Sequence, residues 1–120
     1  MKWLAVFVGG GIGSIVRFAL GLVISPSLSL FPWATLIANG IAAIIIGWLF
    51  SQGFKSENGF LWHLAAIGFC GGLSTFSTFS LETIQLMRSG QQFLAWSYLL
   101  LSVTLSLVLF YFISLLFQQR

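Results

Sequence analysis

The fold of this chain is decided by the stretch Gly71-Gly72-Leu73-Ser74-Thr75-Phe76-Ser77-Thr78-Phe79-Ser80-Leu81-Glu82. It lies within an apolar run, residues 62–87, that is longer than one membrane span requires. Glycines and hydroxyl residues near the middle of this run predict a membrane helix that breaks near residues 71–75. Backbone groups freed by a break are tolerated at that depth only beside protein or a water-filled cavity, and they commonly coordinate ions. The alternative is that Gly71 and Gly72 only permit close packing, while the hydroxyls bond back to the preceding turn.

The composition assigns that run to a membrane protein. The 120 residues are 58% hydrophobic and 6% charged, whereas a soluble domain carries about 25% charged residues. Three further apolar segments are long enough to cross a bilayer, namely residues 3–24, 33–50 and 93–117. We therefore predict an all-α membrane protein with one domain, residues 1–120, and four transmembrane helices, the third of them broken. Because four helices enclose little space, a transport function would require an oligomer.

Side chains suited to catalysis are scarce. The chain has no Asp, its only carboxylates are Glu57 and Glu82, and its only histidine is His63. The single Cys70 excludes an intrachain disulfide and a Cys-x-x-Cys metal or redox site. The basic residues are too few and too scattered to form a nucleic-acid footprint. We therefore expect neither an enzyme nor a partner of nucleic acids.

The basic residues also bear on topology. Four spans put Lys2, Lys55 and Arg120 on one side of the bilayer and Arg88 on the other, toward which Arg17 can extend its side chain. Because the difference in positive charge between the two sides is so small, it selects no orientation in the membrane. The chain can therefore insert both ways. Two opposed copies can then pair as an antiparallel dimer. No repeat relates the two halves of the sequence, so a single chain is not expected to hold the inverted pair of many transporters.

The first two spans contain polar residues that lipid would not accept. Gly9 and Gly13 form a GxxxG pair, which predicts close helix contact. Gly13, Arg17 and Gly21 share one face, so the arginine side chain is expected to face protein or water. A charge buried in this way is a functional candidate. Its alternative role is an interface anchor that caps nearby carbonyls. Asn39 lies near mid-membrane, where burial of an unpaired amide is costly, so it either cross-links helices or offers its NH2 group to something passing through.

The later spans supply hydroxyls and rings. Tyr98, Ser102 and Ser106 are four residues apart, so they share one helix face as a candidate solvated track. The serines could instead bond back to their own helix. Phe76 and Phe79 also share a face, either as packing or because the positive edges of their rings meet an anion. Neutral donors without nearby carboxylates favour an anion as the passing species.

Taken together, these residues resemble the Fluc/CrcB family of bacterial fluoride channels. The resemblance rests on Gly9-Gly10 with Arg17, on Asn39-Gly40 with Gly47, and above all on residues 71–80 followed by Glu82. It covers nearly all of the four spans. It implies a fluoride-selective channel for passive export from the cytoplasm, built as a dual-topology antiparallel homodimer with a central structural Na⁺. It also implies a multi-pass location in the bacterial plasma or inner membrane.

The resemblance assigns roles to individual residues. The pore-lining positions for fluoride match Asn39, Phe76, Phe79, Tyr98, Ser102 and Ser106, with Ser77 and Thr78 alongside. The positions whose backbone carbonyls hold sodium match Gly71 and Ser74. Ser74 departs from the family pattern, which often has Thr there, but a carbonyl ligand depends little on its side chain. Arg17 and Glu82 are further candidates for the site.

The residues alone also allow two other functions. A small dual-topology multidrug exporter has a similar length and four spans, but its proton coupling needs a carboxylate in the first span, and that span has none. Glu82, late in the third segment, is the only substitute. A non-transporting packing subunit would explain the glycines but not the aligned polar stripe of the fourth span.

Overall fold

The computed structural model describes residues 1–24, 29–53 and 59–118, which fold almost entirely into helices. Helix α1 spans Lys2–Val23 and α2 spans Trp33–Ser51. Helix α3 is π-helical over Trp62–Cys70 and continues as an α-helix over Gly71–Leu73. Helices α4 and α5 span Phe76–Arg88 and Gln92–Leu116.

Four helical segments of the described chain are long and apolar enough to cross a membrane: α1, α2, the α3–α4 pair over Trp62–Arg88, and α5. This confirms the predicted all-α architecture with four spans and an interrupted third span. The protein is therefore a multi-pass membrane protein. Large apolar side chains such as Trp3 and Phe93 are 90% and 82% exposed, because lipid rather than water surrounds them. Lys55 and Arg120, two of the basic residues that bear on topology, lie outside the described residues.

Helix α1 packs along α3, and glycines let the two backbones touch. A Cβ at Gly9 would collide with the carbonyl oxygen of Leu64, and a Cβ at Gly13 with that of Phe69. From the other side, a Cβ at Gly72 would collide with the backbone of α1. The close helix contact predicted from the GxxxG pair is therefore present.

Helix α2 links the two halves of the third span through two buried apolar clusters. One cluster joins α2, α4 and α5 and consists of Leu36, Phe79, Leu86, Ala95 and Tyr98. The other joins α2 and α3 and consists of Ala38, Ala42, Cys70 and Leu73. Because the interruption falls between the clusters, both of its ends are held against α2.

Candidate functional site

The third span is interrupted at Ser74 and Thr75. Their backbones are extended, with φ −75° and ψ 152° at Ser74 and φ −151° and ψ 123° at Thr75. The interruption lies within the predicted range, but the hydroxyl residues form it, since Gly71 and Gly72 are helical. Gly72 serves the close packing against α1 instead. Within this stretch, the helix break and the close packing therefore belong to different residues.

Thr75 begins α4 as its N-cap. Its Oγ1 accepts a hydrogen bond of 3.2 Å from the backbone N–H of Thr78, the usual role of a threonine at this position. The same hydroxyl donates to Thr78 Oγ1 at 3.1 Å and lies 3.2 Å from Ser77 Oγ. Three hydroxyls are thereby gathered at the first turn of α4.

Asn39 binds the backbone of the interruption from α2. Its Oδ1 accepts from the Thr75 N–H at 2.8 Å, and its Nδ2 donates to the Thr75 carbonyl at 3.5 Å. The amide therefore cross-links α2 to the interruption. One hydrogen of its NH2 group is used in the longer bond, and the other is left for a further acceptor.

Arg17 binds a carbonyl that the interruption releases. Its Nε donates to the Gly72 oxygen at 3.1 Å. In a continuous α-helix that oxygen would accept from the N–H of Phe76, which instead begins α4. The guanidinium, half-buried on α1, thus acts as the carbonyl cap that was its alternative role.

The carbonyls of Gly71 and Ser74 lose their usual donors. In a continuous α-helix they would accept from the N–H groups of Thr75 and Thr78. Those two N–H groups donate to Asn39 Oδ1 and to Thr75 Oγ1 instead. No three His, Cys, Asp or Glu side chains converge in the described part of the chain, so a cation here would depend on carbonyl oxygens. This donor set fits the hard cation Na⁺, which prefers oxygen ligands.

A groove of about 470 Å³ lies between α2, α3, α4 and α5. Seven sequence-predicted site residues line it: Asn39, Gly71, Ser74, Phe76, Phe79, Ser102 and Ser106. None of the described residues along the groove is charged. Ser102 is buried, and its hydroxyl has no hydrogen-bond partner among the described residues. Ser102 therefore places in the wall of the groove an enclosed hydroxyl without a hydrogen-bond partner in the described part of the chain.

A second cavity of about 520 Å³ lies between α1, α2, α4 and the segment before α2. It is lined by Arg17, Thr78, Thr35 and Glu82, among others. Thr35 Oγ1 donates to one carboxylate oxygen of Glu82 at 2.9 Å, and the Tyr98 hydroxyl donates to the other at 2.7 Å. Both oxygens of Glu82 are therefore engaged by neutral donors from α2 and α5.

Tyr98 divides the polar stripe of α5. Its hydroxyl points to Glu82, whereas the two serines of the stripe line the groove. The Tyr98 ring lies 5.2 Å from that of Phe79, which lies 5.6 Å from that of Phe76. These three rings therefore form a row, in which the rings of Phe76 and Phe79 line the groove.

Two hydroxyl residues of the site were not among the sequence-predicted candidates. Thr35 binds Glu82, and Thr75 organises the interruption. The position of Thr35 one turn before Asn39 was the signal for the first, and the N-cap preference of threonine was the signal for the second. Of the predicted pair beside the pore, Thr78 lines the second cavity and Ser77 is exposed.

The fold and the site define a multi-pass membrane protein in which an interrupted helix borders an uncharged groove and a second cavity lined in part by Arg17 and Glu82. The family model described as "CrcB-like protein, Camphor Resistance (CrcB)" matches residues 4–113. The chain is 40% identical over 109 residues to a fluoride-specific ion channel FluC of Pyrococcus abyssi, covering 88% of this chain and 87% of that protein. It is 46% identical over 106 residues to the FluC of Ruegeria pomeroyi, covering 88% and 79%. An Escherichia coli FluC is 44% identical over 104 residues, covering 85% and 80%.

This chain belongs to the Fluc/CrcB family. The resemblance drawn from its residues is therefore confirmed.

Proposed function

We propose that the protein is a fluoride-selective channel through which fluoride leaves the cytoplasm passively. One observation carries the proposal: an uncharged groove, in a chain whose relatives are named fluoride-specific ion channels, is lined by the hydroxyl residues Ser102 and Ser106. A small anion that sheds water needs such donors. An ion channel is not an enzyme, and we infer no catalysed reaction.

The groove supports conduction because its groups bind an anion only moderately. Hydroxyls of Ser102 and Ser106 and the amide of Asn39 can replace part of the hydration shell. The rings of Phe76 and Phe79 can offer their positive edges. A conducted ion must bind well enough to enter and weakly enough to leave, and a buried lysine in place of these neutral groups would hold fluoride too firmly.

Passive export follows from acid–base chemistry. In acidic surroundings fluoride is partly present as HF, which crosses lipid without charge. In the less acidic cytoplasm HF dissociates, and the trapped anion needs a path out. A passive pore in the bacterial plasma (inner) membrane provides one, because the membrane potential, negative inside, drives anions outward.

The working unit we propose is an antiparallel homodimer of opposed copies. In the single chain the groove is open, Phe76 is 78% exposed, and Gly71 has open space around its Cα. A second copy would cover these groups and close the groove. The small charge bias of the sequence supports insertion in both orientations.

The structural Na⁺ would lie on the two-fold axis of that dimer. The N–H groups of Thr75 and Thr78 donate to side-chain oxygens. The carbonyl oxygens of Gly71 and Ser74 therefore lack their helical donors, which supports a role for them as ligands of a cation. Two copies would bring four such oxygens together. The ion would offset the cost of bare carbonyls in the membrane and would not be transported.

The alternative of a small multidrug exporter is not favoured by the relatives, which are named as channels. Glu82, the one carboxylate among the described residues, has both oxygens engaged by Thr35 and Tyr98. Proton coupling would require it to exchange these bonds for a substrate in every cycle.

Efflux from liposomes tests the proposal. Vesicles loaded with potassium fluoride and containing the purified protein should release fluoride when valinomycin balances the charge, with no pH gradient. Matched vesicles loaded with chloride should release far less anion. Equal release of the two anions, or a strict need for a proton gradient, would refute the channel.

A further inference from the structure

Phe31 lies outside the four spans, yet its ring contacts the ring of Tyr98. Phe31 precedes Pro32, the N-cap of α2, and its N–H donates to Ser29 Oγ at 3.1 Å. A residue before proline has restricted backbone freedom. The backbone of Phe31 is therefore held from both sides, and its half-buried ring packs against the buried cluster that contains Tyr98.

Phe31 extends the row of rings toward the membrane surface. Its ring centroid lies 5.4 Å from that of Tyr98, with the planes at 82°, and 4.6 Å from that of Trp33. On its other side Tyr98 meets Phe79 at 5.2 Å. Aromatic pairs prefer edge-to-face or tilted contacts at such distances, each stabilising by about 0.5–1.5 kcal/mol beyond area burial. The Tyr98 ring is therefore held between two other rings.

The orientation of that ring decides where its hydroxyl lies. Tyr98 is 0% exposed, and its hydroxyl donates to Glu82 at 2.7 Å. Glu82 and Phe31 both line the second cavity. If the Tyr98 ring tilted away, one oxygen of Glu82 would lose its donor and would turn more of its negative partial charge toward the cavity. Such charge repels an anion.

We propose that Phe31 is a positioning residue, which holds the Tyr98 hydroxyl on Glu82 and thereby keeps the second cavity passable for fluoride. This inference rests on the proposed channel function. Phe31 acts through Tyr98 and does not itself coordinate the ion.

A double-mutant cycle in fluoride efflux tests the coupling. The variants are Phe31→Leu, which keeps apolar bulk without a ring, Tyr98→Phe, which removes the hydroxyl, and the two together. We expect each single change to lower the efflux rate at least fivefold and the double variant to match Tyr98→Phe within twofold. Phe31→Tyr, which keeps the ring, should retain at least half of the wild-type rate.

The matched control is Phe93→Leu, the same substitution at the start of α5, where the ring is 82% exposed. It should conduct like the wild type. Should Phe31→Leu not fold, Phe31→Met replaces it in the same cycle, and an elution volume like that of the wild type establishes that a variant is folded.

The outcomes separate the two proposals. If wild-type vesicles release no fluoride, the channel function fails and the positioning role fails with it. If the wild type conducts but the losses from Phe31→Leu and Tyr98→Phe multiply in the double variant, only the positioning role is overturned. It is likewise overturned if Phe31→Leu conducts normally.

Discussion

The Thr75 N–H donates to Asn39 Oδ1 over 2.8 Å, so a side chain of the second span replaces the helical acceptor that the third span lacks. In a continuous helix this N–H would bind the Gly71 carbonyl. One bond thus satisfies the amide exposed by the interruption and leaves that carbonyl for another partner.

Substitutions of Asn39 separate its two roles. Asn39→Asp keeps an oxygen for the Thr75 N–H but replaces the NH2 donor with a negative charge. We expect a folded protein whose fluoride efflux falls at least tenfold. Asn39→Ala leaves the Thr75 N–H without an acceptor, which costs about 1–3 kcal/mol, so thermal unfolding in detergent should occur at lower temperature. Normal efflux from Asn39→Asp would limit this residue to the structural cross-link.

The rings of Phe76 and Phe79 have a packing interpretation and an ion-binding interpretation, which Phe→Ile substitutions distinguish. Isoleucine keeps apolar bulk and removes the ring quadrupole. We expect Phe79→Ile and Phe76→Ile to reduce efflux at least tenfold while the elution volume stays unchanged. Phe7→Ile, where the ring is 79% exposed on α1, is the control. Folded variants that conduct normally would show that the two rings only pack.

Ser102→Ala should change stability and efflux in opposite senses. The Ser102 hydroxyl is buried without a partner among the described residues, so its removal relieves a desolvation cost and the unfolding temperature should stay or rise. Efflux should fall severalfold because a donor is lost. Ser80→Ala is the control, since Ser80 Oγ already donates to the Phe76 carbonyl at 2.8 Å. Unchanged efflux from Ser102→Ala would make its hydroxyl incidental.

Adjacent glycines should respond differently to the same substitution. Gly72→Ala places a Cβ against the backbone of α1, so we expect poor expression or early unfolding. Gly71→Ala meets nothing within 4 Å in the single chain, so it should fold and instead weaken the dimer, measured by single-molecule photobleaching in liposomes. Gly11→Ala, also in open space, is the control for lipid-facing positions. A dimer of normal stability in Gly71→Ala would contradict the proposed interface at this residue.

Sodium removal tests the proposed central ion. Exchange of Na⁺ for a large organic cation should slow fluoride efflux or loosen the dimer, because carbonyls of Gly71 and Ser74 would lose their partner. A sodium gradient alone should drive no fluoride movement. Sodium-coupled uptake, or full activity and dimer stability after exhaustive exchange, would rule out a structural ion.

Much of the fold could be predicted because the membrane makes strong local demands. Long apolar segments must form helices that satisfy their own backbone, so span number and approximate limits follow from the sequence. The close helix contact at Gly9 and Gly13 could also be predicted from the sequence, because only small residues allow two helix backbones to meet. The hydroxyl-rich stretch of the third span likewise predicted an interruption.

What the residues alone determined was therefore four spans, an interruption in the third, and a set of neutral donors near mid-membrane. Only the tertiary structure decided which partners those donors take: the Tyr98 hydroxyl donates to Glu82 on another helix, and Arg17 binds Gly72 on another helix. The interruption also falls at Ser74 and Thr75 rather than at the glycines. The reason is physical. Helix formation depends on neighbours close in sequence, whereas these hydrogen bonds join residues 16 and 55 positions apart and exist only when the helices pack.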